Sequence, residues 1–185
     1  MARVGSDEPI KRKRGLTVVF RISVRLGLAL VAAWSTCAWA GSAHVTFVDP
    51  ERFTDIGPYI NGPEAAANMA QIAQHIEQLA ARRLAADQVL EVDVLDVHMA
   101  GYLDPRTGRN EPYRVMLEGY WPSVTLRYRL MLGGTVLASG EETASDMSYL
   151  HFINRYPDSD RLRYEKRMLD NWFNSRFVEK QASKR

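Results

Sequence analysis

Apolar and polar residues change their rhythm several times along this chain, and each rhythm predicts an element. "HVTFV", His44 to Val48, alternates and is β-branched, which predicts a first strand. "DPERFTDIGPYINGP" follows, dense in Pro, Gly, Asp and Asn, and reads as a loop. Pro63 then opens a helix, at the position where a missing N–H does no harm. In "PEAAANMAQIAQHIEQLAARRL" the apolar residues Ala65, Met69, Ile72, Ile76, Leu79 and Ala80 recur at intervals that gather them on one face. Glu64 at the start and Arg82 and Arg83 at the end suit the helix dipole.

"VLEVDVLDV", Val89 to Val97, is mostly apolar and predicts a central, largely buried strand. "AGYLDPRTGRNEP" is a long polar turn, and "YRVMLEGYW" is a further strand candidate that Pro122 ends with a bulge or an edge. "SVTLRYRLML" alternates cleanly: Val124, Leu126, Tyr128, Leu130 and Leu132 on one face, Thr125, Arg127 and Arg129 on the other. Gly133-Gly134 signals a two-residue hairpin, with "TVLASGEETA" as the returning strand. "DSDRLRYEKRMLDNWFNSRFVEK" predicts a second amphipathic helix that Asp158, Ser159 or Asp160 can cap. The order predicts an α+β fold: an antiparallel sheet of four to five strands with two amphipathic helices packed on it.

The first 40 residues differ in kind. "KRKRG" is a basic block, followed by the uncharged run Leu26 to Ala40, 15 residues long. A membrane span needs roughly 20 apolar residues, and extending this run backwards meets Arg25 and Arg21. A basic n-region, a short apolar run and the small residues Ala38 and Ala40 predict a signal peptide cut after Ala40. A lipid anchor at Cys37 is rejected, because bulky Trp34 stands where a lipoprotein signal wants leucine. With the signal removed, the expected domain covers 41–185 and carries no cysteine, so it neither uses disulfides nor mispairs in an oxidising compartment. The expectation is a periplasmic protein that touches the membrane only through its signal before cleavage.

Charge follows the same division. The chain has 24 Lys+Arg and 22 Asp+Glu, and the first 40 residues hold 7 and 2 of these, so the remainder carries a net charge of −3. The basicity belongs to the targeting segment, and a nucleic-acid partner, which needs clustered Lys and Arg, is not expected.

Three stretches are similar to a known family: "VTFVDPERFTD", "RVMLEGYWPSVTLRYRL", and "DMSYL" followed by "YEKRMLDNWF". Together they resemble the exported proteobacterial domain-of-unknown-function family 3016, over nearly all of the chain after the signal. The resemblance implies a signal peptide, a single domain and no assigned activity. It places Asp49, Phe53, Asp55, Trp121, Pro122, Asp146, Tyr149, Glu165, Arg167 and Trp172 on the family's recurrent positions. His98 stands where the family more often has an acid, and Ser148 where it has asparagine, which argues against obligatory chemistry at either position.

Candidate chemistry is sparse. Asp96 and His98 are the nearest approach to a metal site; alternation puts them on one face and Asp93 on the other, and two ligands do not make a zinc site, so no metal is expected. Glu165 falls inside the apolar stripe Leu162, Leu169, Trp172, Phe173 and Phe177 of the last helix, as does Arg176, about 16 Å further along the axis. A buried carboxylate needs a partner or a raised pKa. Arg127 or Arg129 could supply the partner in a structural ion pair, and the other reading is an active-site acid. Asp146 is a second weak catalytic candidate, or a cap of a short turn. His75 reads as a boundary residue of the first helix, while His44 and His151 show no partners. The "DPERFTD" loop, through Asp49, Phe53 and Asp55, and the 99–114 segment with Trp121 are candidate ligand or partner surfaces. Tyr102, Tyr113 and Tyr120 either join that surface or close the core over the turn. GxSxG, HExxH, a glycine-rich phosphate loop and CxxC are all missing, and no cofactor is expected. The leading expectation is a non-catalytic envelope protein that binds another envelope protein or a small ligand; the rival is a periplasmic hydrolase using Glu165 or Asp146.

Overall fold

The computed structural model describes residues 40–105 and 113–179. The segment read as a signal peptide lies outside them but for Ala40, and so does the tip of the polar turn, 106–112. The fold is α+β. Its main sheet has four strands in the order β1 (Ser42–Phe47), β2 (Gln88–His98), β5 (Ser123–Leu132) and β6 (Thr135–Ser145). A two-stranded arm, β3 (Tyr102–Asp104) against β4 (Tyr113–Val115), stands apart from it. The helices are α1 (Pro63–Arg83) and α2 (Arg163–Phe173), and the latter runs on into a widened π-turn, Asn174–Glu179.

The sheet is mixed rather than wholly antiparallel. β1 runs parallel to β2, with Ser42 opposite Val89 and Phe47 opposite Val94. Parallel neighbours need a crossover, and α1 provides it. The meander β2-β5-β6 follows the expected antiparallel pairing. Gly133 and Gly134 both sit at positive φ, 54° and 85°, the conformation a two-residue hairpin requires.

One face of the sheet makes the core. Leu90, Val92, Val94 and Val97 of β2 and Val124, Leu126, Tyr128 and Leu130 of β5 are buried there beneath Ile72, Ile76 and Leu79 of α1 and Leu169, Trp172 and Phe173 of α2. Phe177 of the π-turn closes an aromatic cluster, 4.9 Å from Phe173 and 5.4 Å from Tyr128 between ring centres. The opposite face carries a charge ladder: Arg129 donates to Glu91, and Arg127 to Glu141 at 3.0 Å. These arginines are therefore on the wrong side of the sheet to meet Glu165.

A register shift between Val94 and Asp96 corrects the expected facing of β2. Leu95 is the extra residue, and a bulge reverses the alternation beyond it. Asp93, Asp96 and His98 lie opposite Arg127, Thr125 and Ser123, so all three occupy the polar face rather than dividing between two.

Candidate functional site

The "DPERFTD" loop is stitched to the end of β2. Asp49, at φ 50°, enters a 3-10 turn, Pro50–Arg52. Phe53 then turns inward; it is 5 % exposed, so its ring belongs to the core instead of the expected binding surface. Thr54 donates its backbone N–H and its hydroxyl to the two carboxylate oxygens of Asp96, at 2.7 and 2.8 Å. The Asp55 N–H reaches the Val97 carbonyl at 2.8 Å. Asp96 is thus a clamp for the loop. His98 bonds through Nδ1 to the Trp121 carbonyl at 3.0 Å. Among the described residues no group of three or more metal-ligating side chains comes together.

Asp55 is the hinge between this loop and the β3–β4 arm. Its carboxylate receives both terminal nitrogens of Arg114, at 2.7 and 3.0 Å, with both side chains largely buried. A bidentate guanidinium–carboxylate pair of this kind is among the stronger and more directional polar contacts. Arg114 also donates to the carbonyls of Ala100 and Gly101, both at 3.3 Å. Between loop and arm opens a cleft of about 400 Å³. Thr54, Asp55, Ile60, His98, Tyr102 and Tyr120 are among its lining. Tyr102 and Tyr120 both line the cleft, with their rings 5.0 Å apart. The two segments singled out as surfaces converge on one cavity.

Glu165 is buried, 1 % exposed, and is not part of the cleft's lining. Its expected partners, Arg127 and Arg129, are engaged on the far face. Instead its Oε1 accepts the Ala100 N–H at 2.8 Å, while Oε2 has no hydrogen-bond partner. Burial pushes its pKa up to about 7; the Ala100 N–H and the positive charge of Arg114 pull the other way without prevailing. Asp146 is committed elsewhere. Its Oδ1 accepts the Ser148 N–H at 3.1 Å, as a turn cap would, and its Oδ2 binds Arg167 at 2.6 Å.

Sequence reasoning missed two groups. Arg114 stands in a short strand of a polar turn, where one more arginine raises no suspicion. His75 is buried rather than at a boundary: it bonds Asp170 at 3.0 Å, and Tyr156 donates to the same carboxylate at 2.7 Å while Arg155 pairs with it. Burial alone would raise the Asp170 pKa, but its bonds from His75 and Tyr156 and the charge of Arg155 bring it below the usual carboxylate range. Ninety-five residues separate His75 from Asp170, so no local pattern could announce them. His151 also has a partner, Glu118 at 3.2 Å. Around it, Met147, Leu150, Phe152 and Ile153 are exposed on one turn, with Ile153 98 % open to solvent.

A comparison with functionally curated proteins finds no match. Among solved structures, the chain is similar to the crystal structure of a Xanthomonas campestris protein of family DUF330, with 13 % identity, 80 % of this chain and 92 % of that chain covered, and a TM-score of 0.33. At that score the likeness carries no argument. The family resemblance read from the motifs is borne out, by a match to the family described as "Protein of unknown function (DUF3016)" over residues 41–175. That span takes in the loop, the arm, both helices and every strand of the sheet, and the chain belongs to this family.

Proposed function

We propose that this chain is an exported periplasmic protein, cut after Ala40, whose domain binds a small ligand or partner in the cleft between the "DPERFTD" loop and the β3–β4 arm. It acts by binding and not by catalysis. The observation that carries this reading is the shared cavity: two segments from distant parts of the sequence, joined by Asp55 and Arg114, line one opening of about 400 Å³. That volume falls in the range typical of ligand sites, and its mixture of apolar walls and a few polar groups is their usual composition. Support for export comes from the basic, apolar and small-residue succession before Gly41. Gly41 itself is packed close against Leu84, where a Cβ would lie 2.5 Å from the Leu84 Cβ, so the packed fold starts immediately after the expected cut.

The burial of Glu165 and the engagement of Asp146 by Arg167 favour binding over hydrolysis, since a general acid or base must come within hydrogen-bond reach of its substrate.

Native mass spectrometry of the protein taken gently from the periplasmic fraction tests the reading. The expected result is a chain beginning at Gly41 that carries additional mass. Tyr120→Ala, which removes an exposed cleft wall, is expected to weaken retention about tenfold, equivalent to about 1.4 kcal/mol. A chain recovered uncut, or a bound mass indifferent to Tyr120→Ala, would overturn it.

A further inference from the structure

A second cavity is lined by Arg114, the partner of Asp55. It encloses about 260 Å³, and Pro58 and Leu103 are common to both. Its apolar lining is Pro58, Met99, Leu103 and Met116; its charged lining is Arg114, Arg161 and Glu64. Arg114 and Arg161 thus border a largely apolar space, the first paired with Asp55 and the second with Glu64.

The two arginines are held differently. Arg114 is anchored by Asp55, which lines the first cleft, so its charge is fixed as part of the wall. Arg161 pairs with Glu64, and both side chains are well exposed, 56 % and 38 %. An exposed pair of this kind contributes at most about 1 kcal/mol, so Arg161 can exchange Glu64 for another anion at little cost once the exposed Glu64 side chain turns to solvent. Guanidinium groups receive carboxylates and phosphates through paired N–H donors. The two methionines give the apolar wall an adaptable surface, because their unbranched thioether side chains fill irregular gaps.

The geometry points to a binding site for a small amphiphile with one anionic head, a carboxylate or a phosphate ester. The head sits on Arg161 with Arg114 behind it, and a short apolar tail runs along Met99, Leu103 and Met116. A cavity of about 260 Å³ suits a short chain, and octyl compounds are the probes. This site adjoins the first cleft at Pro58 and Leu103 but does not include Tyr120.

Isothermal titration of the mature chain with octanoate, octyl phosphate and octanol tests it. The expected result is binding of at least one of the two anions, with octanol at least tenfold weaker. Arg161→Gln, on a side chain whose one ion pair is exposed, is expected to weaken the anion at least tenfold, and Arg161→Lys to restore part of the loss. Whichever anion binds more tightly identifies the head group. Tyr120 lines only the first cleft, so Tyr120→Ala is expected to leave octanoate or octyl phosphate binding unchanged, which separates this site's failure from that of the cleft. Octanol binding as tightly as the anions, Arg161→Gln binding like the parent, or no binding of either anion would overturn the site.

Discussion

Arg167→Ala is expected to lower the stability of the domain by about 3–5 kcal/mol, the cost of breaking a buried ion pair from one side. Arg167 is buried and its guanidinium holds three acceptors together: the Asp146 carboxylate at 2.6 Å and the carbonyls of Phe152 and Tyr149, at 2.8 and 2.9 Å. Removing it leaves a carboxylate with 13 % side-chain exposure facing no counter-charge, together with two carbonyls that lose their donor. The same contacts fix the 146–153 turn, so its exposed apolar side chains are displayed on a rigid frame. Urea denaturation of the variant measures the effect. Adding Asp146→Asn should recover part of the loss, because the stranded charge is then gone. A loss below about 1 kcal/mol would show that the turn holds itself without the arginine.

The second large effect is a fall in stability as pH rises. Glu165 ionises near its ordinary value in the unfolded chain but at about 7 in the folded one. Between the ordinary glutamate value of 4.5 and about 7 the folded state therefore holds a proton that the unfolded state has lost. Stability must decrease with rising pH across that window, by about 3 kcal/mol in all at 1.36 kcal/mol per pKa unit. Asp170 does not offset this. Its pKa is lowered, so its contribution is complete above the usual carboxylate range and is lost only on acidification below it. Glu165→Gln keeps an oxygen for the Ala100 N–H and cannot ionise. Its stability should be flat where that of the parent falls, and above pH 7 the variant should match or exceed the parent. Denaturant midpoints at half-unit pH steps decide the matter; a slope that survives in Glu165→Gln would assign it to another group.

The elements that were legible in the sequence are those whose signals are local. Period-two alternation marked β5, the glycine pair marked its hairpin, and Pro63 marked the start of α1. Alternation assigns a residue to a face but says nothing about which strand lies alongside, and so the parallel seat of β1 was hidden. The bulge at Leu95 was hidden for the same reason, since one extra residue leaves composition unchanged while reversing every facing beyond it. Glu165 stood out as a charge in an apolar stripe, and its burial followed. Its partner did not, because a backbone N–H 65 residues away has no side-chain signature. Asn68 was open to detection on the same logic: it sits on the apolar face of α1 and is buried there, donating to the Ile56 carbonyl at 2.8 Å. Arg114 gave no such sign; its role exists only once the loop and the arm have met.

The parallel seat of β1 also bears on how the sheet assembles in time. The β5–β6 hairpin closes over two residues, and β2 joins it through antiparallel pairing. Ser42 meets Val89 only after the intervening chain, α1 included, has been brought round. Closing that longer loop costs more chain entropy before any contact repays it. The three-stranded meander is therefore expected to form first and β1 to dock last. Substitutions in β5 should slow folding, while those on the inner face of β1, such as Val45→Ala, should chiefly speed unfolding. An N-terminal strand that arrives last leaves the chain without its complete sheet for longest at the end that emerges first.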